Sequence, residues 1–166
     1  MAYKRPENIR NKLIRSKIPP LTNQRESRTV PGMKKCLKCK ICPFVKNSNV
    51  VRSSKTSEVI EINKQVDCQT KNVIYCITCK KCKVQYIGES EKSLKERFSQ
   101  HLGYVYNEHL NQATGEHFNS KGHSVADMEV TILEKIFSKD PQIRKERESM
   151  FIKKFNSKHK GLNKKS

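Results

Sequence analysis

The apolar positions along this chain fall into short runs of two periods. Val73-Ile74-Tyr75-Cys76-Ile77 is a continuous β-branched run, and Val84-Gln85-Tyr86-Ile87 follows after a short connection bearing Lys and Cys. Two runs that close together predict a hairpin. Met128 to about Ile136 predicts a third strand, and Glu58-Val59-Ile60-Glu61-Ile62 is a strand-like run upstream. Ser93-Leu94-Lys95-Glu96 matches a capping box, which opens a helix running to about Tyr106. Asp140-Pro141 supplies an N-cap and a first-turn proline, opening a second helix to about Phe155. Hairpin, helix, loop, strand, helix is an α/β (α+β) order, occupying residues 71–166.

Helical geometry singles out polar side chains on apolar faces. Arg97 and His101 are four apart, share a face, and flank Leu94 and Phe98. On the second helix Phe151, Ile152 and Phe155 define an apolar arc that contains Glu148 and leaves Glu146 outside. A carboxylate on the core side costs free energy unless it is paired or binds a cation. Two readings follow for Glu148: a structural ion pair, with Arg97 as the candidate partner, or a metal ligand at the floor of a cleft.

Composition narrows the class. Hydrophobic residues are 34% with no Trp, so the core must be small. The formal charge of +19 calls for a polyanionic partner. No apolar run reaches the roughly 18 residues of a membrane span, and no secretory signal follows Met1. A membrane-surface role is disfavoured because no strong amphipathic helix accompanies the charge. Residues 1–35 are basic and carry Pro6, Pro19, Pro20 and Pro31; Ile9, Leu13 and Ile14 suffice for a turn or two. That segment reads as a solvated linker or as a basic arm along nucleic-acid phosphates, and the two are compatible.

Seven cysteines without a signal argue for thiolate metal sites in a reducing compartment. Cys79-x2-Cys82 has knuckle spacing, and His117-x5-His123 is close to the usual second half of a Cys₂His₂ zinc site. Such a site would tie the hairpin to the long polar loop 107–126; the alternative is free thiols and a surface His pair. In residues 36–70, Cys36, Cys39 and Cys42, with Cys68, can form a second, Cys₄ zinc site, or Cys42 can be a spare. Cys76 reads as a core residue, and His109 and His159 carry no role.

Read together, Val73-Ile74-Tyr75 and Tyr86-Ile87-Gly88, with tyrosines 11 positions apart, resemble the paired signature of the GIY-YIG nucleases. Val73 stands where that family usually has Gly. Arg97 and His101 fall where the family carries Arg and His on its first helix, Glu148 matches its metal-binding Glu, and Asn163 its C-terminal Asn. The likeness extends to the endonuclease module of Penelope-like retroelements, through the inserted Cys76-x2-Cys79-x2-Cys82, His117-Phe118-Asn119 with Gly122-His123, the upstream cysteines, and Ala2-Tyr3-Lys4-Arg5-Pro6.

The resemblance implies a small three-stranded antiparallel sheet flanked by helices, preceded by a Cys-rich zinc module (36–70) and a basic arm. It also implies a DNA endonuclease, with Mg²⁺ or Mn²⁺ on Glu148 and Arg97 on the scissile phosphate. Tyr75 would be the base or water-orienting group, Tyr86 and His101 its hydrogen-bonding partners, and Asn163 a brace. A free phenol near pKa 10 is a poor base, so the site is expected to lower the Tyr75 pKa through the metal, Arg97 or both. The product end would be a 3′-hydroxyl for target-primed reverse transcription. The implied partners are double-stranded DNA, a reverse transcriptase domain of the same polyprotein and its RNA, and the implied place of action is the nucleus. The competing class is a non-catalytic zinc-dependent nucleic-acid-binding module.

Overall fold

A computed structural model of the chain describes residues 30–163; most of the basic arm, with Ile9, Leu13 and Ile14, lies outside them. Two small pairings come first. β1 (Gly32–Lys34) pairs in parallel with β4 (Gln65–Asp67), and β2 (Val50–Arg52) pairs antiparallel with β3 (Val59–Glu61). The main sheet has three antiparallel strands, with β5 (Val73–Cys79) between β6 (Gln85–Ser90) and β7 (Met128–Lys135). Every residue of β5 from Val73 to Ile77 is buried, which is why this strand reads as a continuous apolar run and not as an alternation.

Helix α1 (Leu94–Tyr106) packs its Leu94, Phe98, His101 and Val105 inward, and Ser93 caps it through the full capping box. A six-residue α2 (Ala113–Phe118) lies in the loop expected to be polar and irregular. Ala-Thr-Gly-Glu-His-Phe has weak helical propensity, so what holds it is burial of Thr114, Gly115 and Phe118. A Cβ at Gly115 would collide with the carbonyls of His109 and Tyr104, so α2 docks at backbone contact. Helix α3 (Pro141–Lys154), capped by Asp140, packs on β6 and β5, and a short α4 (Ser157–Lys160) turns the chain back toward β6.

Both outer edges of the sheet are covered. On β7, Lys46 N–H donates to the Val130 carbonyl at 3.1 Å. On β6, the Asn163 amide imitates a neighbouring strand: its Oδ1 accepts from Ile87 N–H at 2.9 Å and its Nδ2 donates to Ile87 C=O at 2.7 Å. Leu162 N–H adds a bond to Gln85 C=O at 2.9 Å. These contacts satisfy backbone groups that an edge strand would otherwise leave open. Met33, Ile41, Val45, Ile62, Val66 and Cys68 of the upstream segment belong to the same buried cluster as the sheet, and Phe44 stacks at 5.5 Å on Phe98 of α1.

Candidate active site and metal clusters

Tyr75 on β5 lies opposite Gly88 on β6 in the ladder. A Cβ on Gly88 would stand 2.5 Å from the Tyr75 hydroxyl and 2.6 Å from its Cζ, so only glycine leaves room for the phenol. Helix α1 brings two side chains to that hydroxyl from one face, as their four-residue spacing requires. Arg97 Nε donates to the Tyr75 oxygen at 3.0 Å, and His101 Nε2 lies 2.8 Å from it. Tyr86 flanks the group, its ring 6.4 Å from Tyr75 and 5.3 Å from His101. Tyr75 and His101 are buried, whereas Tyr86 and Arg97 are half-exposed and form the outer surface of the cluster. Arg97 also borders a polar cleft of about 770 Å³ that it shares with Lys71, Lys92, Gln100 and Arg144.

Arg97 by itself does not bring the Tyr75 pKa below its ordinary value. Burial pushes the Tyr75 phenol far above its ordinary value, Tyr86 adds to that, and the pull of Arg97 does not compensate. The phenol is therefore protonated at rest and needs a proton acceptor to act as a base. Burial, then the Arg97 charge, lower the His101 pKa to about 3, which leaves a neutral imidazole that can accept a hydrogen bond but is a weak base at rest.

Glu148 does not form the ion pair with Arg97 weighed from the helical pattern; among the described residues no such contact exists, and Arg97 bonds instead to Tyr75 and to Gln100 at 2.9 Å. One Glu148 oxygen accepts from the Glu89 backbone N–H at 3.1 Å, at the exposed edge of β6. Burial, then the Glu89 carboxylate, raises the Glu148 pKa; that backbone bond and the Arg97 charge oppose them. A half-buried carboxylate beside a second one, with an oxygen left over, suits a hard cation. So Tyr75, Tyr86, Arg97 and His101 meet, and Glu148 and Asn163 fasten to the β6 edge beside them.

Two residues here escaped the sequence pattern. Arg144 is buried and donates to Glu89 at 2.9 Å, with Asn72 at 3.4 Å and Glu91 at 3.5 Å, which fixes the strand that holds Glu148. It stands four residues before Glu148 on the same stripe, so a helical wheel carries the signal. Thr114 is buried with its Oγ1 3.0 Å from His101 Nδ1, and nothing in its local sequence announces it.

The cysteines gather as two separate sets. The sulfurs of Cys36, Cys39, Cys42 and Cys68 lie within 4.8 Å of one another, with Cys36–Cys39 at 3.2 Å, Cys36–Cys42 at 3.6 Å, Cys39–Cys42 at 3.5 Å and Cys42–Cys68 at 3.8 Å. Thiolates about 2.3 Å from a tetrahedral ion are about 3.8 Å apart, so this set can hold a metal ion. Cys79, Cys82, His117 and His123 form the second set, also within 4.8 Å, with Cys82 Sγ 3.4 Å from His117 Nε2. Lys83, at φ 64°, turns the knuckle back so that its N–H bonds Cys79 C=O at 2.9 Å. His123 Nε2 is buried without a hydrogen-bond partner, a cost that a bound cation would remove. Cys76 is buried in the sheet, with Thr78 Oγ1 3.6 Å from its sulfur.

Residues 71–163 match the family model of the GIY-YIG catalytic domain. No curated protein matches the chain. Among solved structures, the catalytic domain of the homing endonuclease I-TevI is similar, at 26% identity, a TM-score of 0.48, and coverage of 58% of this chain and 100% of that one. The family match spans more than half of the chain, so this protein belongs to the GIY-YIG family and carries its nuclease domain.

Proposed function

We propose that the protein is a metal-dependent DNA endonuclease that nicks duplex DNA and leaves a 3′-hydroxyl, the end that primes reverse transcription of a Penelope-like retroelement. The observation that carries this reading is the Tyr75 hydroxyl held between Arg97 Nε at 3.0 Å and His101 Nε2 at 2.8 Å, within the electrostatic reach of Glu148. A protein that only binds nucleic acid has no use for a buried phenol wired to a neutral imidazole. The charge of +19 supports duplex DNA as the substrate, held through its phosphates.

Arg97 is half-exposed and permanently charged; with Nε on Tyr75 and Nη1 on Gln100, its Nη2 holds the scissile phosphate. Tyr86, the exposed member of the tyrosine pair, orients the attacking water toward phosphorus. As the water oxygen bonds to phosphorus, its proton passes to the Tyr75 oxygen and the Tyr75 proton passes to His101 Nε2. The P–O3′ bond breaks, its electron pair leaves with O3′, and O3′ takes a proton from solvent. The negative phosphate offsets the Arg97 field, the smaller of the two effects, after burial, that keep His101 unprotonated. Mg²⁺ or Mn²⁺ at Glu148 would polarise the phosphate and stabilise charge on the departing oxygen. Asn163 braces β6 and touches no reacting atom.

Both Cys/His sets are assigned structural Zn²⁺, on the sulfur spacing of the first and the orphaned His123 nitrogen of the second. A nuclear setting, a reverse transcriptase domain in the same polyprotein and its RNA complete the reading; these rest on the sequence resemblance.

The test is nicking of supercoiled plasmid with Mg²⁺ or Mn²⁺ by the intact protein and by Glu148→Ala, with DNA binding measured in parallel. The expected result is metal-dependent nicking that Glu148→Ala loses while still binding. A folded, zinc-loaded protein that binds DNA with a steep salt dependence and never nicks it would overturn the proposal in favour of a non-catalytic binding module.

A further inference from the structure

The Tyr75–His101 pair has a third member that the family signature does not contain. His101 is buried with both ring nitrogens engaged, Nε2 at 2.8 Å from the Tyr75 hydroxyl and Nδ1 at 3.0 Å from Thr114 Oγ1. Arg97 can only donate, so the Tyr75 oxygen accepts from it at 3.0 Å and must place its own proton elsewhere. Two groups stand at that proton, His101 Nε2 at 2.8 Å and the Tyr86 hydroxyl, which also hydrogen-bonds with Tyr75; the imidazole nitrogen is the stronger acceptor. That nitrogen is then the acceptor, and the imidazole proton sits on Nδ1, facing Thr114.

We propose that Thr114 is a positioning residue: with Nε2 accepting from Tyr75, its hydroxyl accepts from His101 Nδ1–H, which satisfies that buried proton and holds the ring with Nε2 facing Tyr75. The inference rests on the nuclease reading for its consequence in catalysis, though the tautomer itself stands on the hydrogen-bond geometry. In the other tautomer Nε2 would present a hydrogen to the Tyr75 oxygen, and the phenol proton would lose its imidazole acceptor when water attacks. Without the Thr114 oxygen the buried Nδ1–H has no acceptor, which penalises the tautomer and ring orientation that present Nε2 to Tyr75.

The fold supplies Thr114 through a short element that also carries His117 and the core residue Phe118. Helix α2 has six residues and meets the end of α1 at backbone contact through Gly115. His117, one turn beyond Thr114, belongs to the Cys79–Cys82–His117–His123 set. The segment that presents Thr114 is therefore anchored by that metal-binding set, which gives the inserted loop a bearing on the chemistry as well as on the fold.

The experiment compares the full chain, loaded with zinc, with Thr114→Val and Thr114→Ser. Long-range ¹H–¹⁵N spectra report which His101 nitrogen carries the proton, with His101→Gln used to assign the signals; plasmid nicking with Mg²⁺ is measured alongside. The expected wild-type spectrum shows a protonated Nδ1 and an acceptor-type Nε2. Thr114→Val should mix or reverse that pattern and slow nicking about 10- to 100-fold, and Thr114→Ser should restore both. A protonated Nε2 in the wild type overturns the proposal without recourse to any variant. So does a Thr114→Val protein with an unchanged imidazole spectrum and wild-type nicking. If the wild type shows the expected tautomer but never nicks, the nuclease reading fails while the positioning of His101 stands.

Discussion

Around Tyr75 the protein completes its own polar network: the phenol, the Arg97 Nε, both His101 nitrogens and the Thr114 hydroxyl all have partners within 3.0 Å. At the other end of α2 the reverse holds. Cys79, Cys82, His117 and His123 converge to within 4.8 Å, yet His123 Nε2 is buried with no partner at all. The first arrangement is preorganised by packing and is sensitive to single atoms. The second brings electron-rich groups together and is stabilised only when a cation joins them. The two clusters share the short helix α2, so an ion held by the second would bear on the order of the first.

The largest expected effect separates them by removing that ion. Chelation of a zinc-loaded sample, or Cys82→Ser, should lower Tm by on the order of 10 °C and raise hydrogen exchange in residues 107–126. If exchange there were unchanged, the link between the cluster and α2 would be wrong. The converse perturbation is Gly88→Ala, whose methyl would occupy the space of the Tyr75 hydroxyl. Nicking should fall about 100-fold while zinc content stays at the wild-type level; equal loss of zinc would mean that the two regions cannot be perturbed separately.

The smallest effect is on stability against pH. His101 has a folded pKa of about 3, below the roughly 6.5 of an unfolded histidine, so the unfolded state takes the proton first. Its contribution is complete above about pH 6.5 and is lost as pH falls toward 3, with a slope approaching about 1.4 kcal/mol per pH unit. Thermal melts from pH 7.5 down to about pH 4.5 should show wild type losing stability faster than His101→Gln. Parallel curves would place His101 in a solvated setting that the structure does not have.

Legibility in the sequence follows local order. The β5 run and the capped α1 announce themselves because their periods are strong, and Glu148 stands out because a carboxylate on an apolar arc needs a reason. Arg144 shares that arc, but in a helix that also carries Lys145 and Arg147 its local sequence does not set it apart; its contacts to β6 explain its burial. Thr114 could not be read, because Ala113–Phe118 has neither period nor propensity and becomes helical through Gly115 and Phe118 packing. β1 and β4 are three residues each and pair in parallel across a gap in sequence, beyond any local pattern. Glu58–Ile62 was visible as a strand, though only Val59–Glu61 is paired. The polar residues Gly88-Glu89-Ser90 lengthen β6 because the ladder with Val73–Tyr75 continues over them. Whether Cys42 joins its neighbours is settled by folding, which places its sulfur 3.8 Å from Cys68.

In the proposed reaction a buried tyrosine, with its proton directed to His101, activates the attacking water. Single-turnover nicking by Tyr75→Phe tests it most directly, since the substitution keeps the ring and removes only the hydroxyl. The account predicts a rate lower by about 10²- to 10⁴-fold, with DNA binding and zinc content as in wild type. A Tyr75→Phe protein that nicks at the wild-type rate would contradict it.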